Sequence, residues 1–226
     1  MTLLQTAKPV FGSSVSSMTA TFGSSVTNGS LLVFGMDLPA ATPITTVTDT
    51  GGNQWQIANA IDGTFERCEL WYAWNVKGGA SFSITANLGS SAAMLMMARE
   101  YSGSLVKDPK QLTTLGTGSS TACTAGTMSI FRPNPLLIAC VAQNASAATY
   151  TAGTGWGNAT NGDTSGTGRS RGMEDHAATV NGDYVAAITS SANQDFAMVA
   201  AAFDTISKGI QPNKVRPHIF SPGLAR

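Results

Sequence analysis

The sequence predicts an all-β protein: an antiparallel, jelly-roll-like β-sandwich with an internal pseudo-duplication and an extended C-terminal arm. Three observations lead there. Landmark residues recur in one order at a spacing of about 100 to 105 positions, the scale of a half-domain rather than of a solenoid repeat. Short apolar runs rich in β-branched and aromatic residues are bounded by Gly, Asn, Asp and Pro, the punctuation of strands and turns. Only 12% of the 226 residues are charged while 24 are glycine, which suits short strands better than Glu/Lys-laced surface helices.

The duplication is read from four landmarks. Leu31-Leu-Val-Phe-Gly-Met36 is answered by Leu136-Leu-Ile-Ala-Cys-Val141, and Thr50-Gly-Gly-Asn-Gln-Trp55 by Thr151-Ala-Gly-Thr-Gly-Trp156. Asn75-Val-Lys-Gly-Gly79 is answered by Thr179-Val-Asn-Gly-Asp183, and the run from Ala93 to Glu100 by that from Ala197 to Asp204. The repeat units are 15–102 and 119–205, within one sandwich domain over 1–205. One continuous core built by both units is expected, because each alone would leave a large apolar face exposed.

The first unit predicts strands at 17–22, 30–37, 44–50, 54–60, 67–76, 81–88 and 92–101. Residues 30–37 are almost continuously apolar, as for a strand buried on both faces. Residues 92–99 suit a helix on propensity, yet their repeat and their position after a Gly-Gly turn favour a strand. Residues 103–118 read as a polar connector. The second unit predicts strands at 121–130, 135–143, 150–156, 172–180, 184–190 and 196–204, with 157–171 as a long surface loop, a length that is usually functional or mobile.

Composition excludes several classes. The formal net charge is zero, which argues against a nucleic-acid binder and its basic face. No apolar run is long enough for a membrane-spanning helix. The N-terminus lacks a basic segment followed by an apolar one, so synthesis in a reducing cytoplasm is expected. The three cysteines, Cys68, Cys123 and Cys140, have no metal-type spacing and read as reduced structural residues. Sequons at Asn28, Asn144 and Asn158 read as incidental in so Ser/Thr-rich a chain.

Residues 206–226 change character: Lys208, Lys214, Arg216 and Arg226 stand without an acidic side chain, among Pro212, Pro217 and Pro222. Proline at that density favours extended backbone. These four cations leave the rest of the neutral chain four charges negative, an asymmetry that favours association. Lys214, Arg216, Phe220, Leu224 and Arg226 are the candidate partner-docking residues of this arm.

The first unit resembles a known family. Asn28-Gly-Ser-Leu-Leu-Val-Phe-Gly35, Ile44-Thr-Thr-Val-Thr-Asp-Thr-Gly-Gly-Asn-Gln-Trp55, Leu70-Trp-Tyr-Ala-Trp-Asn-Val-Lys-Gly-Gly-Ala80 and Glu100-Tyr-Ser-Gly103 form a series. It is similar to that of β-sandwich, jelly-roll-like domains of bacteriophage virion proteins and bacterial surface proteins. The likeness covers residues 15–205, most strongly 28–103, and rests on turn formers and core aromatics. It implies a scaffold that decorates particles or binds carbohydrate, and brings no catalytic residues with it.

The chain's own chemistry is sparse. A glycosidase needs two facing carboxylates; Glu69, Glu100, Glu174 and Asp175 are the available acids. Glu100 and Asp204 look like a repeated strand-exit acid, better suited to holding a turn amide. His176 beside Asp175 reads as a surface strand histidine, and no Gly-x-Ser-x-Gly elbow accompanies it. Asn161-Gly-Asp163 and Asn181-Gly-Asp183 read as turns rather than calcium ligands. The aromatic side chains are the better lead. Alternation puts Tyr72 and Trp74 on one face, opposite Trp71; with Trp156 they are the candidate ligand-binding residues, able to stack on a sugar or a subunit or else to fill the core. The expectation is a non-enzymatic virion structural protein without cofactor, a head decoration or a fibre or tail component. It is made in the host cytoplasm, forms a homo-oligomer, and partners other virion subunits rather than nucleic acid or membrane. The alternative is a carbohydrate-binding, lectin-like module for surface glycans.

Overall fold

The computed structural model describes residues 1–103, 110–131, 134–161 and 168–204. Among them there is no helix, and thirteen strands form two antiparallel sheets packed face to face. The first sheet comprises β1 (Leu3–Thr6), β2 (Val10–Thr21), β3 (Leu31–Pro39), β4 (Ile44–Asp49), β5 (Gln56–Asp62), β6 (Glu66–Ala73) and β7 (Ser83–Tyr101). The second comprises β8 (Lys110–Ile130), β9 (Leu136–Gln143), β10 (Tyr150–Thr151), β11 (Gly157–Asn161), β12 (Ser170–Ala177) and β13 (Gly182–Phe203). The all-β sandwich class is as the composition predicts.

Duplication is visible in the pairing. The order β7-β3-β6-β5 in one sheet is repeated as β13-β9-β12-β11 in the other, and β2 pairs β7 as β8 pairs β13. Strands β1 and β2 together are matched by the one strand β8: Lys110 pairs Phe203 as Leu3 pairs Tyr101, and Thr113 pairs Ala201 as Thr6 pairs Arg99. With Leu31 matched to Leu136, the ladders match Tyr101 to Phe203, Tyr72 to Asp175 and Cys68 to Arg171. They also correct one landmark: Glu100 pairs with Leu32 and its counterpart is Ala202, so Asp204 lies two positions beyond it.

The long strands explain where the predicted boundaries fail. Residues 81–88 and 92–101 are one strand, β7, whose first half alternates in burial and whose second half is buried on both faces. The small residues Gly89-Ser90-Ser91 mark the change, where the strand passes from an outer to an inner layer. Strand β13 does the same after Ser191. The expected connector at 103–118 is strand from Lys110 onward, because β13 offers it a full-length partner. The expected loop at 157–171 holds β11 and the start of β12. Strand 150–156 shortens to two residues.

Apolar burial falls into three clusters rather than the single continuous core expected. Each sheet folds around its own: Phe34, Met36, Ile84 and Met96 belong to the first, Val141, Ile188, Phe196 and Met198 to the second. The third lies between the units and joins Val33, Leu70 and Tyr72 to Ile138, Val199 and Phe203. Strands β3 and β9 therefore have both faces covered, and β3 is buried from Leu31 through Leu38. Burial on that scale is the main favourable contribution to folding.

The contacts between units are swapped in pairs. Tyr101 of the first unit donates its hydroxyl to Asp175 of the second (2.8 Å), and the matching Phe203 packs edge-on to Tyr72 at 5.3 Å. Gly35 faces Arg171, and the matching Cys140 faces Cys68. Such reciprocity is the mark of an isologous, two-fold interface. Here it occurs inside one chain.

Candidate functional site

The predicted aromatic platform is buried. Alternation does place Tyr72 and Trp74 together, stacked at 5.6 Å, while Trp71 turns to the other cluster. The face expected to meet solvent meets the second unit instead. Tyr72 is 0% exposed and donates its hydroxyl to Gln56 Oε1 (2.9 Å), so it cannot stack on a sugar. Trp74 is half-buried against it. Trp156, 9% exposed, is distant in role: it belongs to the second unit's own cluster. Lys214, Arg216, Phe220, Leu224 and Arg226 lie outside the described residues.

The candidate acids are held in structural hydrogen bonds. Glu100 accepts from Thr27 N and Ser30 Oγ (both 2.7 Å) and from Gln5 Nε2 (2.6 Å), so it does secure a turn amide. Glu69 accepts from Arg67 Nε and Trp71 Nε1, both at 2.6 Å. Glu174 accepts from Gly153 N (2.8 Å), and burial pushes its carboxyl up to about 7. Glu174 and Asp175 project to opposite faces of β12, as neighbours on a strand must, and do not form a facing pair.

Among the polar groups between the units are three arginines and their partners, which the sequence does not reveal because the partners are remote in the chain. Arg99, fully buried on β7, reaches into the second unit. It donates to Asp175 (3.2 Å), Thr160 Oγ1 (2.6 Å) and Met173 O (3.0 Å), and also to Asn158 O. Asn158 Nδ2 closes the group on Asp175 Oδ1 (2.7 Å). From the opposite side, Arg171 donates to Leu95 O (2.8 Å) and to Cys140 Sγ (2.7 Å). A Cβ on Gly35 would fall 2.2 Å from its Nη2, so only glycine leaves it room. Arg169 donates to Asp37 Oδ1 and Leu38 O, both at 2.8 Å.

Two acids beside this layer are raised. Burial pushes Asp37 up to about 7, although Arg169 and Arg171 draw it down. Burial, then the charge of Asp195, pushes Glu66 up to about 7. Neither oxygen of Glu66 has a hydrogen-bond partner, an arrangement that favours the neutral acid.

An open cleft of about 420 Å³ lies in the second unit, lined by Thr154, Trp156, His176, Asp183 and Tyr184 among others. Its rings form a chain: Trp156 to His176 at 5.8 Å and His176 to Tyr184 at 5.0 Å. His176 Nδ1 is hydrogen-bonded to Gly155 O, and Tyr184 donates to Val180 O (2.7 Å). His176 and Tyr184 are half-buried, so ring surface reaches solvent. In the first unit, Ala73 and Phe82 at the corresponding places are 0% and 1% exposed. Trp156 thus borders an opening, and Tyr184 and His176 are the companions that sequence reasoning missed. The signal was the mismatch between the halves: histidine for alanine and tyrosine for phenylalanine.

Among the described residues, no group of three or more His, Cys, Asp or Glu side chains could hold a metal ion. Comparison with protein-family models, with curated proteins and with solved structures finds no match, so what stands of the family resemblance is the all-β sandwich.

Proposed function

We propose that this protein is a non-enzymatic structural component of a bacteriophage virion, a head decoration or a fibre or tail part, with residues 206–226 docking on neighbouring subunits. One observation carries the reading: the four acids that could serve hydrolysis are spent on backbone amides, buried cations and ring N–H groups. What the buried polar chemistry does is fasten the two sheets into one block, a property that suits a particle component. The basic, proline-rich composition of 206–226 supplies the means of attachment, its charge being opposite to that of the negative body of a neighbouring copy. The test is light scattering of the full chain and of a chain ending at Asp204, followed by sedimentation of each with the parent particle. The full chain is expected to oligomerise or co-sediment and the shortened one to do neither; equal behaviour of the two overturns the docking role.

A second reading, recognition of a surface glycan, is favoured by the Trp156–His176–Tyr184 cleft. It joins ring faces to a carboxylate and a hydroxyl, the combination that orients a polyhydroxylated ring. A glycan array probed with the wild type and with Tyr184→Ala decides it. Binding lost in the variant supports the cleft, and an empty array for the wild type ends this reading.

A further inference from the structure

The centre of the inter-unit layer holds a pair of thiols that the fold does not otherwise use. Cys68 of β6 and Cys140 of β9 come from different units and are fully buried, with their sulfurs 3.4 Å apart. They are van der Waals neighbours across the two-fold-like interface. Cys68 Sγ also lies 3.3 Å from Cys140 O, so this side chain spans the gap to the facing strand. Arg171 Nη2 is 2.7 Å from Cys140 Sγ. Cys123, the third cysteine, is in the second unit's own cluster, away from both.

We propose that Cys68 and Cys140 are an oxidation site: hydrogen peroxide converts them to a disulfide that staples the two units together. The guanidinium of Arg171 selects the nucleophile. Burial opposes ionisation of Cys140, but the hydrogen bond from Cys68 and the charge of Arg171 outweigh it and hold this thiol below its usual range, while burial pushes Cys68 up. The thiolate is the reactive form. Cys140 thiolate attacks one peroxide oxygen; the O–O bond breaks, leaving a sulfenic acid on Cys140 and a hydroxide that takes up a proton as water. Cys68 sulfur then attacks Cys140 sulfur; the S–O bond breaks, and the departing hydroxide leaves as water with the Cys68 proton. Two thiols lose two electrons and the peroxide is reduced to two waters. Hydrogen peroxide is small enough to reach a buried sulfur during local opening, whereas a bulky disulfide reagent is not, so the site discriminates by size.

The test treats the full wild-type chain with dilute hydrogen peroxide, then denatures it, alkylates free thiols and maps the peptides by mass spectrometry. The expected result is one alkylated cysteine, Cys123, and a linked peptide pair containing Cys68 and Cys140. The oxidised protein should also melt at a higher temperature than the untreated one, with dithiothreitol reversing the shift. Alkylation of all three cysteines, a bridge involving Cys123, or separate sulfinic acids on Cys68 and Cys140 would overturn the proposal. Arg171→Lys, which keeps the charge but loses the fork, should slow bridge formation severalfold; an unchanged rate would remove Arg171 from the mechanism.

Discussion

The two units share a frame and differ in how they are closed. In the first, nine residues, 74–82, connect β6 to β7 outside the ladders. They are latched by Asn53, which accepts from Lys77 N (2.7 Å) and donates to Lys77 O (3.2 Å), and by Asn28, which accepts from Gly78 N (2.9 Å). In the second, only four residues, 178–181, join β12 to β13. At the position matching Asn53 stands Thr154, which lines the open cleft. A latch in one half is a lining residue in the other. The difference teaches that the frame tolerates loss of the latch, and that the unlatched half is where new contacts with the outside can arise.

The largest test of this comparison asks whether the halves stand alone. Arg99→Ala removes the cation that the first unit sends into the second and leaves Asp175 buried without its charge partner. The expected loss is about 3–5 kcal/mol, read from urea unfolding. A loss below about 1 kcal/mol, the scale of an exposed ion pair, would mean that the units barely depend on each other.

Acidity gives the next effect. The carboxyls of Asp37, Glu66 and Glu174 are each raised to about 7 in the folded protein, against roughly 4 in an unfolded chain. The folded state thus holds more protons than the unfolded one between those values. Their contribution to stability is full below about pH 4 and is lost as the pH rises through about 7. The melting temperature should therefore fall between pH 5 and pH 8. Glu66→Gln should recover about 1–3 kcal/mol at pH 8 and change little at pH 5; a variant equally stabilised at both would sever the link to ionisation.

Smaller still is the latch. Asn53→Ala should cost about 1–2 kcal/mol through its lost hydrogen bonds and speed amide exchange over 74–82. Thr154→Ala, its counterpart, should stay within about 0.5 kcal/mol. Equal costs would show that the two covers do the same job after all.

Much of the frame was legible in the sequence because it is written in local terms. Apolar runs such as Leu31–Leu38, turn glycines such as Gly51-Gly52, and the Trp55/Trp156 pair before β5 and β11 need only near neighbours to be read. What escaped depends on remote partners. Tyr72 was assigned to the correct side of its strand, but the sequence has no mark for a second sheet covering that side. Arg99 and Arg171 look like ordinary surface cations until the fold sets Asp175, Met173 O and Leu95 O around them. Tyr184 resembles any strand aromatic, and nothing local marks that its edge is exposed where that of Phe82 is buried.

The swapped contacts between the units have a consequence for what the chain can evolve. Two identical subunits meeting on a two-fold axis must repeat every residue, so an arginine reaching across would demand a second arginine at the mirrored place. Joining the halves in one chain lifts that demand. Arg171 fills the hollow over Gly35 while its counterpart, Cys68, meets Cys140. Covalent continuity has turned a symmetric seam into one that can carry different chemistry on its two sides.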